Sequence, residues 1–159
     1  MVEIFWVPYH RGHHVPHHMV EGGQRYNGNP IYICRATVKG ELCVGKFYPR
    51  REIAKIPYGG EEHVFHSCEI LVCREAEKLA WVPMSGGKTP YGAITGGHTK
   101  HGKTLFVGRV NVRHEVIPGK IYPDHHRIYI CNEGKEQNYY HYEALAIKQV
   151  VPRRRYHHH

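Results

Sequence analysis

Trp6-Val7-Pro8 returns 75 residues later as Trp81-Val82-Pro83, and from there the two halves of the 159-residue chain stay in register. After a gap of one residue the shift is 74. Pro16 then matches Pro90, Gly22-Gly23 matches Gly96-Gly97, Gly28 matches Gly102 and Arg35 matches Arg109. Further along, Glu41 answers Glu115, Gly45-Lys46 answers Gly119-Lys120, and Tyr48-Pro49 answers Tyr122-Pro123. Gly60, Glu62, Glu69 and Leu71 answer Gly134, Glu136, Glu143 and Leu145. Glycines and prolines act on the backbone itself, so their recurrence at one offset means that one structural unit is built twice.

Each copy reads as a run of short strands. Ile31–Cys34 answers Leu105–Gly108 in position; Glu41–Tyr48, Ile53–Pro57 and Val64–Cys73 follow as further strands in the first copy. Asn27-Gly28 and the glycine pairs read as turns between them. The only helix-friendly stretch, Arg74–Leu79, is too short to stand alone. The expectation is an all-β protein with four to five strands per repeat. Repeat one spans 5–73 and repeat two 80–147. A lone copy would bury little core and expose its edges. The two are therefore expected to pack about a pseudo-twofold axis as one β-sandwich-like unit over 1–152, joined by a junction with no flexible linker.

Composition narrows the classes. No run approaches the ~20 apolar residues of a membrane helix. The net charge is +8, but Arg153, Arg154 and Arg155 supply part of it, ahead of His157–His159, which read as the remnant of a purification tag. Residues 153–159 are set aside as a basic tail. Five cysteines, at 34, 43, 68, 73 and 131, are an odd number with no CxxC spacing, so free thiols in a reducing compartment are expected, and no zinc knuckle. The start of the chain does not read as a secretory signal. The expected location is the cytoplasm, with non-classical release open.

The order Trp-Val-Pro, glycine turn, Gly-Gly, strand ending in Arg, Gly-Lys and closing Tyr-Glu-x-Leu resembles the DM-nine repeat, found in natterin-like proteins and mannose-binding bivalve lectins. The resemblance covers Trp6 to Leu145. It implies an all-β fold, paired pseudo-symmetric sites, a homodimer, and recognition of mannose-type or other microbial surface glycans in innate immunity. In the similar lectins, the lysine of Gly-Lys and an acidic residue after the glycine pair hold mannose. The lysine positions are Lys46 and Lys120; the acidic positions carry Gln24 and His98 instead.

The residues can also be weighed directly. A sugar presents hydroxyls that both donate and accept; an ammonium donates to them, and a carboxylate accepts with charge assistance. Lys46 and Tyr48, like Lys120 and Tyr122, stand at i and i+2, so on a strand they share a face. The lysines are expected at exposed strand positions. Glu41 and Glu115, or Glu62 and Glu136, are candidates for the carboxylate that positions 24 and 98 lack. Glu69 and Glu143 read as structural partners of Arg35 and Arg109, and Trp6 and Trp81 as core.

His13, His14, His17 and His18 are a weak metal candidate, outweighed by a plain surface loop, because neighbouring residues of an extended segment point to opposite sides. No GxSxG, HExxH, Walker loop or GxGxxG after a strand is present, so no enzyme is expected and no cofactor. The basic tail allows weak, salt-sensitive contact with nucleic acid and nothing specific. The remaining alternative is a repeat protein that binds a protein or a membrane-associated partner through decayed sugar sites.

Overall fold

The computed structural model describes residues 1–150; the basic tail and the histidines after it lie outside. Repeat one contributes seven strands: β1 (Ile4–His10), β2 (Glu21–Gln24), β3 (Pro30–Val38), β4 (Glu41–Tyr48), β5 (Ile53–Tyr58), β6 (Glu61–Phe65) and β7 (Ser67–Cys73). Repeat two contributes their counterparts: β8 (Leu79–Ser85), β9 (Thr95–His98), β10 (Thr104–Val112), β11 (Glu115–Tyr122), β12 (Arg127–Asn132), β13 (Lys135–Tyr139) and β14 (His141–Ile147). The junction is a single 3-10 turn, Ala76–Lys78.

Seven strands replace the expected four to five, for identifiable reasons. Val64–Cys73 is two strands, broken at His66. β1 and β8 contain Pro8 and Pro83, which argue against a strand in the interior of a sheet. Each is the outermost strand at one end of the sheet, where a proline leaves no ladder bond unmade. Gly22-Gly23 and Gly96-Gly97 are not turns, as the sequence suggests, but the middles of β2 and β9. A Cβ on Gly23 would sit 1.8 Å from the Val116 carbonyl oxygen, and one on Gly97 would sit 2.0 Å from that of Leu42. The second glycine of each pair yields its side-chain space to another strand's backbone, and the first yields it to packed side chains, Ile33 and Pro118 at Gly22 and Val44 at Gly96.

Those crossings join the repeats. β2 of repeat one pairs with β11 of repeat two at Gln24 and Val116, and β9 pairs with β4 at His98 and Leu42. β6 and β13 meet at Glu61 and Lys135. With the β3–β4 pairing, the path β4-β5-β6-β13-β12-β11-β2-β3 returns to its start, a closed ring rather than two sheets laid face to face. One core cluster draws on both copies: Ile33, Val44 and Leu71 pack with Ile94, Val107 and Leu145. Flanking clusters belong to single repeats, around Phe47 and Ile56 in one and around Ile117 and Ile128 in the other.

The tryptophans face a column made twice. The Arg35 guanidinium lies 4.3 Å above the Trp6 ring and its Nε donates to Glu69 at 2.9 Å; Arg109 lies 4.2 Å above Trp81 and donates to Glu143 at 2.9 Å. Both tryptophans pack against the shared core. Glu69 and Glu143 thus have the structural role read from the sequence. All five cysteines are free.

Candidate functional site

The Gly-Lys motif follows from the crossing of neighbouring strands. A Cβ on Gly45 would meet the Lys55 carbonyl oxygen at 2.2 Å, and one on Gly119 the Tyr129 carbonyl oxygen at 2.1 Å. With β5 and β12 drawn in this close, the next residue on each strand, Lys46 or Lys120, stands opposite Lys55 or Tyr129. Lys46 and Lys120 are buried, at 4% and 3% exposure, not exposed as the sequence suggests. The ring closure roofs both strands with segments of the other repeat.

Lys120 is held from three sides. Its Nζ donates to Glu41 Oε2 at 2.6 Å and to the Pro57 carbonyl at 2.7 Å, and Glu136 Oε2 lies 3.8 Å away. Glu41 and Pro57 come from repeat one; Lys120 and Glu136 come from repeat two. The Tyr58 and Tyr129 rings stand 5.2 and 5.5 Å from the ammonium. Tyr122 and His125 stack at 3.7 Å and complete the wall, and Gly59 forms part of the rim. The result is an open cleft of about 320 Å³ with two carboxylates, one ammonium and three phenols.

Charge states in the cleft follow from burial and neighbours. Burial works against the Lys120 ammonium, but the Cys43 sulfur, Glu41 and Glu136 together hold its pKa above the ordinary lysine value. Burial also pushes the Cys43 thiol up to about 12, so it is neutral at pH 7. Burial and then the Glu41 charge raise Tyr122; burial and then the Glu136 charge raise Tyr129. The phenols therefore keep their protons and can donate. Glu136 Oε1 accepts from the Gly60 N–H at 3.0 Å, which fixes the rim turn.

The matching position in repeat one is built differently. Lys46 has Tyr48 beside it at 5.3 Å, as the i, i+2 spacing predicts. Lys55 stands where repeat two has Tyr129, lies 5.7 Å from the same ring, and binds Glu62 at 3.1 Å. Among the described residues Glu115 makes no ion pair with Lys46, so this copy lacks the cross-repeat carboxylate that Glu41 supplies to Lys120. Gln24 and His98 do not line the Lys120 cleft. Gln24 shares a separate cleft with Trp81 and Arg109, and His98 one with Arg35. Of the histidine loop, His17 and His18 stand with ring centres 6.3 Å apart, and no group of three His, Cys, Asp or Glu among the described residues is placed to hold a metal ion.

Sequence reasoning missed Tyr58, His125 and Tyr129. Tyr129 is legible only through the register that sets it opposite Lys120, and Tyr58 only through the ring closure.

The comparisons with known proteins agree with this architecture. The DM9 repeat matches residues 1–65 and again 45–139. The chain belongs to the DM9 repeat family. Natterin-4 of Thalassophryne nattereri is 28% identical over 140 residues, which is 87% of this chain and 33% of that protein. The chain thus spans about a third of its curated relative. Among solved structures, the nematode sperm cell motility protein MFP2B is similar with a TM-score of 0.68 at 14% identity, over 96% of this chain and 49% of that one. At that identity the likeness speaks for the fold alone.

Proposed function

We propose that this DM9 repeat protein is a lectin without enzymatic activity, acting as a homodimer in the cytoplasm or after non-classical release, and recognising mannose-type or other microbial surface glycans in innate immunity. The observation that carries the reading is the Lys120 cleft. Glu41 and Glu136 accept from vicinal hydroxyls, the Tyr129 hydroxyl, itself 2.9 Å from His125 Nδ1, offers its remaining hydrogen-bonding capacity, and the aromatic faces of Tyr58 and Tyr129 offer flat apolar surface to the C–H side of a pyranose. Lys120 fixes Glu41 through its Oε2.

A glycan array with the whole chain tests it. Binding of hexose-rich glycans that falls at least about tenfold in Glu136→Gln supports the reading, since a hydrogen bond involving a charged group contributes ~1.5–3 kcal/mol. One observation favours a second reading. All three Lys120 donors have acceptors within the protein, Glu41 Oε2, the Pro57 carbonyl and, at 3.5 Å, the Cys43 sulfur, as in a buried structural ion pair, which fits a scaffold that binds a protein or membrane-associated partner. An array empty of binders favours this second reading.

A further inference from the structure

Each repeat has a second cavity, beside the tyrosine of its Tyr-Pro pair, and the two differ in charge. In repeat one the cavity holds about 190 Å³ and lies between the Arg25–Asn29 turn and the turn that follows β4. Its walls are Arg25, Arg50 and Arg51, with Tyr48, Pro30 and Pro49 as apolar floor. In repeat two the same place holds about 210 Å³, and Thr99, Asp124 and His125 stand at the positions of the three arginines. There Lys103 pairs with Asp124 at 3.1 Å, so that cavity carries its own counter-charge, while no carboxylate lines the first.

The acid that follows Arg51 in sequence is engaged elsewhere. Glu52 accepts the Tyr9 hydroxyl at 2.6 Å and the Gly12 N–H at 3.0 Å, on the other side of the turn. The Arg11 guanidinium donates to the Arg51 carbonyl at 3.1 Å and adds a further positive charge. Arg25 lies 5.4 Å from the Tyr48 ring centre, which fixes its guanidinium at the cavity wall. Three arginines, none of them in an ion pair among the described residues, border this mainly apolar cavity, and guanidinium forks turned onto its mouth match a small oxyanion, because each fork bonds two oxygens of one group.

We propose that this cavity of repeat one binds a sulfate or phosphate monoester, with Arg25, Arg50 and Arg51 as donors and Tyr48 beneath. It is a site separate from the Lys120 cleft. Only the sugar as carrier of the anion rests on the lectin reading; the oxyanion site does not.

The test is amide-by-amide NMR titration of the whole chain at low salt with inorganic sulfate, inorganic phosphate, a sulfated hexose and the same hexose unsulfated. Shifts are expected around Arg25–Asn29 and Pro49–Glu52 with every anion and not with the neutral sugar. A sulfated hexose that binds more tightly than inorganic sulfate identifies a glycan ester as the source; equal affinity identifies the free anion. Arg25→Thr and Arg50→Asp install the residues that repeat two already carries on the same backbone, so folding is retained, and affinity should fall at least tenfold. Thr99→Arg with Asp124→Arg should create a second site. Absence of shifts with every anion, shifts unchanged in Arg25→Thr and Arg50→Asp, or equal response to the neutral hexose overturns the proposal. Loss of hexose binding in Glu136→Gln with anion binding intact separates a failure here from a failure at the Lys120 cleft.

Discussion

The two repeats share a backbone and have diverged in charge. Around Lys120 the second copy gathers carboxylates and phenols, with Glu41 lent by the first. Around Lys46 and Tyr48 the first copy gathers cations: Lys55 where its sister has Tyr129, Arg25 where it has Thr99, Arg50 where it has Asp124. What stays the same is what the backbone requires, namely the glycines at strand crossings and the Trp-Arg-Glu columns. What differs lies on surfaces that the fold leaves free. Duplication has given one scaffold two chemically distinct faces.

The largest effects should fall where the repeats are alike. Gly23→Ala or Gly97→Ala places a Cβ within 2.0 Å of a carbonyl oxygen in the other repeat, at the crossings that close the ring. Each should cost more than ~4 kcal/mol, in the range reserved for a forced clash in the core, and should abolish a cooperative thermal transition at 37 °C. A loss below ~1 kcal/mol in either would mean that the ring closure is not what holds the repeats together.

The lysines should separate the repeats. Lys120→Met strands the Glu41 carboxylate beside Glu136 in a buried place and should cost ~3–5 kcal/mol. Lys46→Met removes a buried ammonium that has no ion pair among the described residues and loses only a ring contact, so the change should stay within ~1 kcal/mol. Denaturant melts of the two variants make the comparison, and equal costs would contradict it.

Alkaline pH should act mainly through buried thiols and phenols. Burial lifts Cys43, Cys131, Tyr9 and Tyr142 to about 12, and Lys120 also stands above its ordinary value. All these groups keep their protons more tightly when folded. Their stabilisation is therefore complete below the unfolded values, near pH 9 for the thiols, and drains away as the pH rises towards 12. Melting temperatures followed from pH 8 to 12 should fall steadily, and Cys43→Ala should flatten part of that slope. A flat profile over this window contradicts the burial of these groups.

The smallest effects return to what is shared. Arg35→Lys and Arg109→Lys each lose a guanidinium stacked on tryptophan and tied to a glutamate at the half-exposed surface. Each should cost ~0.5–1 kcal/mol, and the double variant their sum, because the columns belong to different ends of the sheet. Arg35 also donates to the Gly96 carbonyl at 3.2 Å, so its variant should be the costlier of the two, and only strongly non-additive costs would show that the columns are coupled.

The repeat, the all-β class, the structural role of Glu69 and Glu143 and the i, i+2 pairing of Lys46 with Tyr48 were legible in the sequence, because each rests on local spacing or on duplication. Burial of the lysines was not, because it depends on contacts between the repeats, Lys120 meeting Glu41, Pro57 and Tyr58 of repeat one, in a ring that the exchange of β2 and β9 helps to close. That exchange is written only as glycine pairs, which read equally well as turns. The Glu41–Lys120 contact joins residues far apart in the chain, and no period connects them. Repetition itself suggested two equivalent sites, and the side chains that make them unlike act through partners that only the register reveals.

The central claim is that the cleft shared by the two repeats around Lys120 receives a neutral sugar. Titration of mannose into the isotope-labelled chain, followed amide by amide, tests it without any mutation. The expected result is a saturable shift centred on Tyr58–Gly60, Lys120–Tyr122 and Tyr129 from both repeats, with one mannose per chain and no response around Lys46. Shifts centred on Lys46 and Lys55, or no shift at millimolar mannose and across a panel of neutral hexoses, would contradict it.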